Sequence, residues 1–400
     1  MDFSESGERK LKVSLLTGGT DRPYAFGLLN ALVSNAVMVD FIAGDELSDD
    51  EILTNNRVNF LNFRGDTNPT TPTIQKIIRI CKYYFKLLKY ASRTDSKVFH
   101  ILWANRFPLL DRILLNVYYK ILGKKLVFTA HNVNERQRDG CDNSYNRITL
   151  RAFYSLVDHI FVHTSKMKLQ LIKEFGVREN TVTVIPFGIN NTLPKSDLTR
   201  VEARNRLSLT EEDKVILFFG RIARYKGLEY AVDALDRLVK IDGGFRLIVA
   251  GRIEKGCEGY WQQIESTTDK RGLGKYLRRN IGYIPDEEVE IFFKSADVLV
   301  LPYKSIFQSG VVFLAYSFGL PVIGTDVGSL KEDIIEGKTG MICRPEDSDD
   351  LADTISKYFK SELYGNLERS AEHIIDYGNR KYSWEDVGNI TCAVYDNLLV

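Results

Sequence analysis

A basic glycine turn is the strongest chemical feature of the sequence. It reads Gly220-Arg221-Ile222-Ala223-Arg224-Tyr225-Lys226-Gly227 and lies between a predicted strand and a predicted helix. Gly220 lets a ligand approach the backbone closely, and the helix that starts near Gly227 offers unpaired amides and positive dipole. Arg221 supplies a planar fork for phosphate oxygens, and Lys226 supplies a compact positive charge. The pattern indicates a diphosphate site, and a solvated basic turn explains it equally well.

Two other loops could hold an anion. Gly18-Gly19 follows the first predicted strand, where glycines are common in doubly wound folds, so the pair alone is weak evidence. It does not form a G-x-G-x-x-G dinucleotide motif, and no G-x-x-x-x-G-K-[ST] loop of a nucleoside triphosphatase occurs. The segment Gln308-Ser309-Gly310-Val311 opens a predicted helix and offers an amide and a hydroxyl as donors. We slightly favour the plain interpretation, in which Ser309 caps that helix, and the two are compatible.

His131 is the histidine placed best for chemistry. It follows the predicted strand Leu126–Thr129 and precedes Asn132, so it lies at the ligand-facing rim of a parallel sheet. An isolated histidine is more often structural, and His159 and His163, which flank a buried strand, are predicted to be structural.

No metal site is expected from the sequence. No His, Cys and carboxylate cluster has the spacing of metal ligands. The one D-x-D triplet, Asp347-Ser348-Asp349, opens a predicted helix, where acidic residues favour the positive end of the dipole. We therefore assign it to helix capping.

The composition bounds the class of protein. A chain of 400 residues and 45.7 kDa with 44% hydrophobic residues predicts two or three packed domains. A net charge of +1 gives no global field for nucleic acid. Five scattered cysteines, a polar N-terminus and the lack of a long apolar run predict a soluble, cytoplasmic protein.

Strands and helices are predicted to alternate along the whole chain. This alternation predicts two doubly wound parallel sheets, with ligands at the carboxyl ends of the strands and in the cleft between the domains. A polar stretch near 189–199 marks the boundary, so the domains are 1–192, 193–380 and a closing segment 381–400. The predicted strands are Lys12–Leu16, Val37–Ala43, Val58–Phe63, Val98–Trp103, Leu126–Thr129, His159–His163, Val182–Pro186, Val215–Phe219, Arg246–Ala250, Asn280–Ile284, Val298–Leu301, Val322–Gly324 and Met341–Cys343.

One predicted helix, Ile74–Ala91, is strongly basic on one side. The segment Thr73–Lys125 has twelve basic and two acidic residues, and six of the basic ones form a helical stripe over 76–93. The other side of the helix is apolar and is predicted to pack on the sheet. The basic stripe is a candidate contact for anionic lipid at the inner face of the membrane.

An ordered set of motifs resembles the GT-B glycosyltransferases, specifically the large retaining family 4 (glycosyl transferases group 1). The likeness covers nearly the whole chain. Its motifs are Gly220-Arg221 with Lys226-Gly227, Gly282-Tyr283-Ile284-Pro285, Ser295-Ala296-Asp297-Val298, Gly319-Leu320-Pro321, Gly337-Lys338-Thr339-Gly340, Thr129-Ala130-His131-Asn132, Val184-Ile185-Pro186-Phe187-Gly188 and Tyr382-Ser383-Trp384.

The resemblance implies roles for particular residues. Arg221 and Lys226 would hold the donor diphosphate and take over the charge neutralisation that metal ions give elsewhere, so no metal or cofactor is expected. His131 would approach the donor sugar or phosphate, and the closing helix would cross back onto the first domain. Other donor contacts would come from Gly18, Gly19, Gly220, Gly251, Arg252, Tyr283, Ile284, Gln308, Ser309, Gly310 and Val311.

The sequence departs from the family at two positions. The family usually has two glutamates eight positions apart, and counting back from Gly319-Leu320-Pro321 places Ile306 and Leu314 there. Neither side chain can accept a hydrogen bond. The segment 308–310 could substitute at the sugar or phosphate end, while nothing replaces the carboxylate at the ribose.

Three functions remain open at this point. The first is a retaining transferase that moves a sugar from a nucleotide-diphosphate sugar to a saccharide or lipid-linked acceptor in polysaccharide or glycoconjugate synthesis. The second is an inactive GT-B subunit that assists another glycosyltransferase. The third is a sugar-nucleotide epimerase of related fold.

Overall fold

The computed structural model describes residues 11–18, 21–48, 51–66, 68, 71–103, 107–138, 140–189, 191 and 193–400. They form two compact units. Unit 1 runs to Gly188 and resumes with Ser383–Val400, and unit 2 is Ile189–Tyr382.

Unit 1 is built on a seven-stranded parallel sheet in the order β3-β2-β1-β4-β5-β6-β7. Helices connect most successive strands, as is usual in a parallel sheet, and short turns connect β2 with β3. The strands are β1 Lys12–Leu16, β2 Met38–Ala43, β3 Val58–Asn62, β4 Val98–Ile101, β5 Lys125–Ala130, β6 His159–Val162 and β7 Val182–Val184. The helices before unit 2 are α1 Arg22–Ser34, α2 Thr73–Ala91, α3 Leu115–Ile121, α4 Glu135–Arg138, α5 Ser144–Leu156 and α6 Ser165–Phe175, with shorter turns at Asp45–Leu47, Glu51–Thr54, Leu110–Leu114 and Glu179–Thr181.

Unit 2 repeats the plan with six parallel strands in the order β10-β9-β8-β11-β12-β13. The strands are β8 Lys214–Phe219, β9 Phe245–Gly251, β10 Leu277–Ile281, β11 Val298–Leu301, β12 Val322–Thr325 and β13 Gly340–Cys343. The helices are α7 Arg200–Arg206, α8 Leu228–Ile241, α9 Glu258–Lys270, α10 Asp286–Ser295, α11 Gly310–Ser317, α12 Leu330–Asp333, α13 Ser348–Tyr358, α14 Glu362–Gly365 and α15 Leu367–Lys381, with turns at Arg224–Lys226 and Gly274–Tyr276. The prediction of two doubly wound parallel sheets is confirmed.

The last helix, α16 Trp384–Leu399, completes unit 1. The Trp384 ring packs where Gly27 and Gly188 leave space, since a Cβ atom added at either glycine would lie 2.0 or 2.4 Å from ring atoms. The chain therefore returns to the first sheet after it has built the second.

Helix α2 forms as predicted, but its predicted orientation is wrong. The buried residues of the helix are Leu87 and Ala91. Asp40 on β2 is fully buried, and its carboxylate accepts a hydrogen bond from the Tyr90 hydroxyl at 2.5 Å. Because a buried carboxylate must be hydrogen-bonded, this contact favours turning Tyr90 and its neighbours inward. The predicted core face therefore points outward.

The outward face of α2 is a stripe of large apolar side chains. Ile74 is 73% exposed, Ile77 55% and Phe85 66%. The exposed lysines Lys82 and Lys89 lie beside this apolar stripe on the helix surface. Helix α2 thus has a buried side, a basic side and an exposed apolar side.

Candidate functional site

Three glycines lie side by side at the carboxyl-terminal edge of the sheet of unit 2. Gly220 follows β8, Gly251 ends β9 and Gly282 follows β10. The Gly220 amide donates to Ala250 O at 2.9 Å, and the Gly282 amide donates to Gly251 O at 3.1 Å. A Cβ atom at Gly251 would lie 2.0 Å from the Gly220 carbonyl oxygen, so only glycine fits there. Gly251 is buried, and Gly220 and Gly282 are partly exposed, so a ligand can meet bare backbone at these two glycines.

The Lys226 ammonium group lies directly over this glycine edge. A Cβ atom placed on Gly220 would be 3.0 Å from Lys226 Nζ and 3.7 Å from Val311 Cγ2. Lys226 is buried, and its Nζ is 5.6 Å from the centre of the Tyr303 ring. Gly227 makes this turn possible, with a φ of +65° and the Pro302 carbonyl oxygen 2.0 Å from an added Cβ. The structure thus brings Gly220 and Lys226 of one predicted motif together with Val311 of another.

Tyr303, which the sequence analysis did not select, links the lysine to the loop before α11. Its hydroxyl lies 3.3 Å from Ser309 Oγ. The Ser309 side chain makes no capping hydrogen bond to α11, so the prediction of a capping hydroxyl is wrong. Gly310 and Val311 begin the helix itself. The signal in the sequence that could have identified Tyr303 is its position directly after the apolar run Val298–Pro302.

Arg221 lies at the exposed rim of the same edge and is already paired. Its Nη1 is 3.1 Å from Glu254 Oε2, and both side chains are partly exposed to solvent. The Ile222 amide donates to Arg252 O at 2.8 Å, which joins this turn to the segment after β9. Arg252 itself is exposed. Glu254 is a partner that the sequence did not indicate.

The remaining predicted donor contacts lie around this edge. Tyr283 is 74% exposed, and Ile284 is partly buried just before α10. Gln308 lies beside Asp333, whose pKa is raised by burial, while hydrogen bonds from Ser329, Tyr382 and Gln308 oppose that rise.

The two positions where the family has glutamates are apolar. Ile306 is partly buried in the loop after β11, and Leu314 is buried within α11. Neither position offers a hydrogen-bond acceptor beyond its backbone.

His131 is held in an aromatic cluster of unit 1. Its ring stacks on Trp103 with centroids 4.6 Å apart and meets Tyr24 edge-on at 4.5 Å. His131 Nδ1 is 3.2 Å from His163 Nε2, so His163, predicted to be structural only, orients the candidate residue. Burial, followed by the charges of His163 and His100, lowers the pKa of His131 well below its usual value. His131 is therefore a neutral imidazole at neutral pH.

Gly18 follows β1 in unit 1, and its carbonyl oxygen accepts a hydrogen bond from Arg64 Nη1 at 2.8 Å. Gly19 lies outside the described residues. Arg64 and His131 line one cavity of about 560 Å³ at the carboxyl-terminal edge of this sheet. Arg64 follows β3 without any motif around it, so it could not be selected from the sequence.

Within the described ranges, no group of three or more His, Cys, Asp or Glu side chains could hold a metal ion. Asp347 caps α13 by accepting from the Asp350 amide at 2.9 Å, which confirms its assignment to capping. A cavity of about 750 Å³ in unit 2 lies at the opposite, amino-terminal edge of the sheet, beside Asp297. That cavity is remote from the glycine edge.

Two family models match this chain. The model described as Glycosyltransferase Family 4 matches residues 22–193, and the model described as Glycosyl transferases group 1 matches residues 199–381. With the two Rossmann-like sheets, these matches show that the chain belongs to the group 1 glycosyltransferases of GT-B fold.

The relatives are distant. Mannosylfructose-phosphate synthase from Agrobacterium fabrum is 30% identical over 226 residues, which is 55% of this chain and 49% of that protein. The chain thus spans about half the length of this curated relative. Sucrose-phosphate synthase from Thermosynechococcus elongatus is similar in structure, with a TM-score of 0.73, 17% identity and coverage of 98% and 99% of the two chains. HepE from Anabaena, in complex with UDP and glucose, has a TM-score of 0.73, 15% identity and coverage of 97% and 100%.

In the part of the chain that the structure describes, every helix is too short or too polar to cross a membrane.

Proposed function

We propose that the chain transfers a sugar from a nucleotide-diphosphate sugar to a saccharide or lipid-linked saccharide, with retention of configuration and without a metal ion. The observation that carries the proposal is the buried Lys226 ammonium group above Gly220. A departing diphosphate gathers negative charge, and a preorganised cation stabilises it most where water is excluded. Arg221 adds a second cation at the rim.

The choice of donor draws on the structural relatives. HepE holds UDP and glucose in a chain of the same fold, so uridine nucleotides are the first ligands to test. The glycine edge supports this choice, because an added Cβ at Gly282 would meet nothing within 4 Å, so the bare backbone there leaves room for a flat base or a ribose. The acceptor and a place in polysaccharide synthesis are part of the same proposal.

The alternative is a GT-B subunit that has lost turnover and assists another glycosyltransferase. The apolar residues at Ile306 and Leu314 favour it, because the ribose then lacks its usual carboxylate. The buried Lys226 counts against it, because its ammonium group lies beside the bare backbone of Gly220, where a donor diphosphate would be bound for transfer.

Nucleotide binding separates the two functions. UDP at 100 times its dissociation constant is expected to stabilise unit 2 by about 2.7 kcal/mol, because it binds the folded state alone. The measurement is calorimetric unfolding with UDP, GDP and ADP, using Lys360→Ala, an exposed lysine of unit 2, as the control variant. A protein that responds to none of the nucleotides would be the inactive subunit.

We also propose that unit 1 rests on an anionic membrane through α2 and its neighbour α3. The apolar stripe of α2 continues on α3, where Ile121 is 78% exposed. The Tyr118 hydroxyl of α3 donates to Leu88 O of α2 at 3.2 Å, so the two helices are adjacent. An apolar stripe beside lysines is typical of helices that lie in the lipid interface.

Removing two lysines from this face should weaken membrane binding. Lys82→Gln with Lys89→Gln is expected to lower partitioning onto anionic vesicles about 30-fold, since each lysine contributes about 1 kcal/mol. The measurement is co-sedimentation with phosphatidylglycerol-containing vesicles and with pure phosphatidylcholine vesicles.

Two controls isolate the surface. Lys255→Gln with Lys360→Gln removes the same charge from exposed positions of unit 2. Ile77→Ser, which removes an exposed isoleucine of α2, should also weaken vesicle binding, and Ile241→Ser removes an isoleucine that is 76% exposed in unit 2 as its control. This surface is ruled out if sedimentation is the same with anionic and with neutral vesicles. It is also ruled out if the α2 variants and the unit 2 controls lose vesicle binding equally.

A further inference from the structure

The cavity of about 560 Å³ in unit 1 is rich in arginine. Arg64 comes from the loop after β3, Arg112 from the Leu110–Leu114 turn and Arg136 from α4. One carboxylate, that of Glu135, lines the cavity with them. The lining therefore carries two more positive charges than negative ones.

Arg112 is fixed in this cavity by neutral partners. Its Nη1 donates to Asn146 Oδ1 at 2.9 Å and to Thr149 Oγ1 at 3.0 Å. Its Nε is buried and has no hydrogen-bond partner among the described residues. Burial lowers the pKa of the guanidinium, and the nearby charge of Arg136 also lowers it. The charges of Asp111 and Glu135 oppose this lowering, so Arg112 feels both the second guanidinium group and these carboxylates.

The other two arginines differ in how they are held. Arg64 is fixed by its hydrogen bond to Gly18 O and lies over the Tyr83 ring at 5.9 Å. Arg136 is partly exposed, and its side chain makes no hydrogen bond or ion pair with the described residues. An anion that enters the cavity would meet one anchored guanidinium and one that can move toward it.

We propose that this cavity binds the phosphate group of a phosphorylated acceptor, with Arg112 and Arg136 as the phosphate-binding pair. The inference rests on the proposed function, because the ligand is the acceptor of that transfer. A phosphate monoester matches the two surplus positive charges, and guanidinium groups bind its oxygens in a bidentate way. Trp103, His131 and Asn132 also line the cavity and provide an aromatic face and polar groups for a sugar ring.

The phosphate could belong to a soluble sugar phosphate or to a lipid headgroup. Arg64 also lines a second cavity of about 360 Å³, together with Arg79, Lys82 and Lys86 of α2. Because Arg64 lines both cavities, the arginine cluster lies next to the basic side of α2, where a lipid phosphate would approach. The two sources have the same phosphate chemistry and are distinguished by experiment.

The test compares glucose 6-phosphate with glucose by isothermal titration calorimetry, with inorganic phosphate as a competitor. Wild-type protein is expected to bind the phosphorylated sugar at least about tenfold more tightly. Arg136→Gln and Arg112→Gln should each remove about tenfold of that affinity. Arg178→Gln, at an exposed position of unit 1 away from the cavity, should bind as the wild type does.

Vesicles identify the source of the phosphate. Phosphatidic acid and phosphatidylglycerol vesicles are compared at equal surface charge, since only the first presents a phosphate monoester. A preference for phosphatidic acid that Arg136→Gln abolishes assigns the site to a lipid headgroup. Without that preference, binding of glucose 6-phosphate assigns it to a soluble acceptor.

Two results would overturn the inference. One is equal affinity for glucose and glucose 6-phosphate, and the other is full affinity for glucose 6-phosphate in Arg136→Gln. Arg136 is partly exposed, so this variant remains informative even if Arg112→Gln fails to fold. Binding of UDP is measured on the same samples, and its loss alone would count against the proposed donor and not against this site.

Discussion

Replacing Asp297 with alanine is expected to destabilise unit 2 by about 3–5 kcal/mol. The Asp297 carboxylate is fully buried, lies 2.9 Å from Arg204 Nη2 and also pairs with Arg200. It accepts a hydrogen bond from the Val215 amide at 2.7 Å, at the start of β8. The substitution leaves the Arg204 guanidinium, which is 2% exposed, buried without its carboxylate.

Asp353→Ala is the matched control for Asp297. Asp353 pairs with Arg237 at 3.1 Å on the surface of α13, where an ion pair contributes about 0–1 kcal/mol. The measurement is denaturant unfolding, monitored by the hydrogen exchange of peptides from unit 2. Equal stability losses in the two variants would mean that the buried pair does not hold β8 and β11 together.

The fold could be predicted because the sheets are parallel and covered on both faces. Strands buried on both faces are continuous apolar runs, and β11, with the sequence Val-Leu-Val-Leu, is buried at every position. The same rule misplaced β10. Its sequence Leu-Arg-Arg-Asn-Ile is polar, because β10 lies at an edge of the sheet. The strand was therefore predicted at Asn280–Ile284, which begins three residues after the observed start at Leu277.

Helix α2 shows what periodicity leaves undetermined. The spacing of apolar residues predicted the helix and its apolar stripe, but not which side of the helix meets the sheet. That orientation coincides with a tertiary contact, the hydrogen bond from Tyr90 to the buried Asp40 carboxylate. A carboxylate on a neighbouring strand gives no signal within the helix sequence.

The candidate site was predictable in its turns and not in its contacts. Gly220 and Lys226 were selected from one short motif, because a glycine turn after a strand has a local signature. The contacts of His131 with His163 and of Lys226 with Tyr303 join residues 32 and 77 positions apart in the chain. Such pairs arise only when neighbouring strands bring their carboxyl ends together.

Sugar transfer should depend most strongly on Lys226. Lys226→Ala is expected to lower kcat/KM about 10²- to 10³-fold, as for the loss of one preorganised charge contact to a developing anion. Lys226→Arg should not restore the rate, because the ammonium already lies 3.0 Å from the position of a Cβ on Gly220 and a guanidinium is larger. Arg221→Ala should cost less, since its guanidinium is 53% exposed and shared with Glu254.

The rates are measured with the nucleotide sugar that binds most tightly, as transfer to an acceptor and as hydrolysis of the donor. Lys360→Ala, an exposed lysine of the same unit, should keep the wild-type rate. If a folded Lys226→Ala variant has an unchanged rate, the Lys226 cation does not contribute to the reaction. Lys226 is expected to matter more, because water screens a charge at the exposed rim and does not screen the buried ammonium group. If Arg221→Ala is the more damaging change, the diphosphate lies at the exposed rim instead.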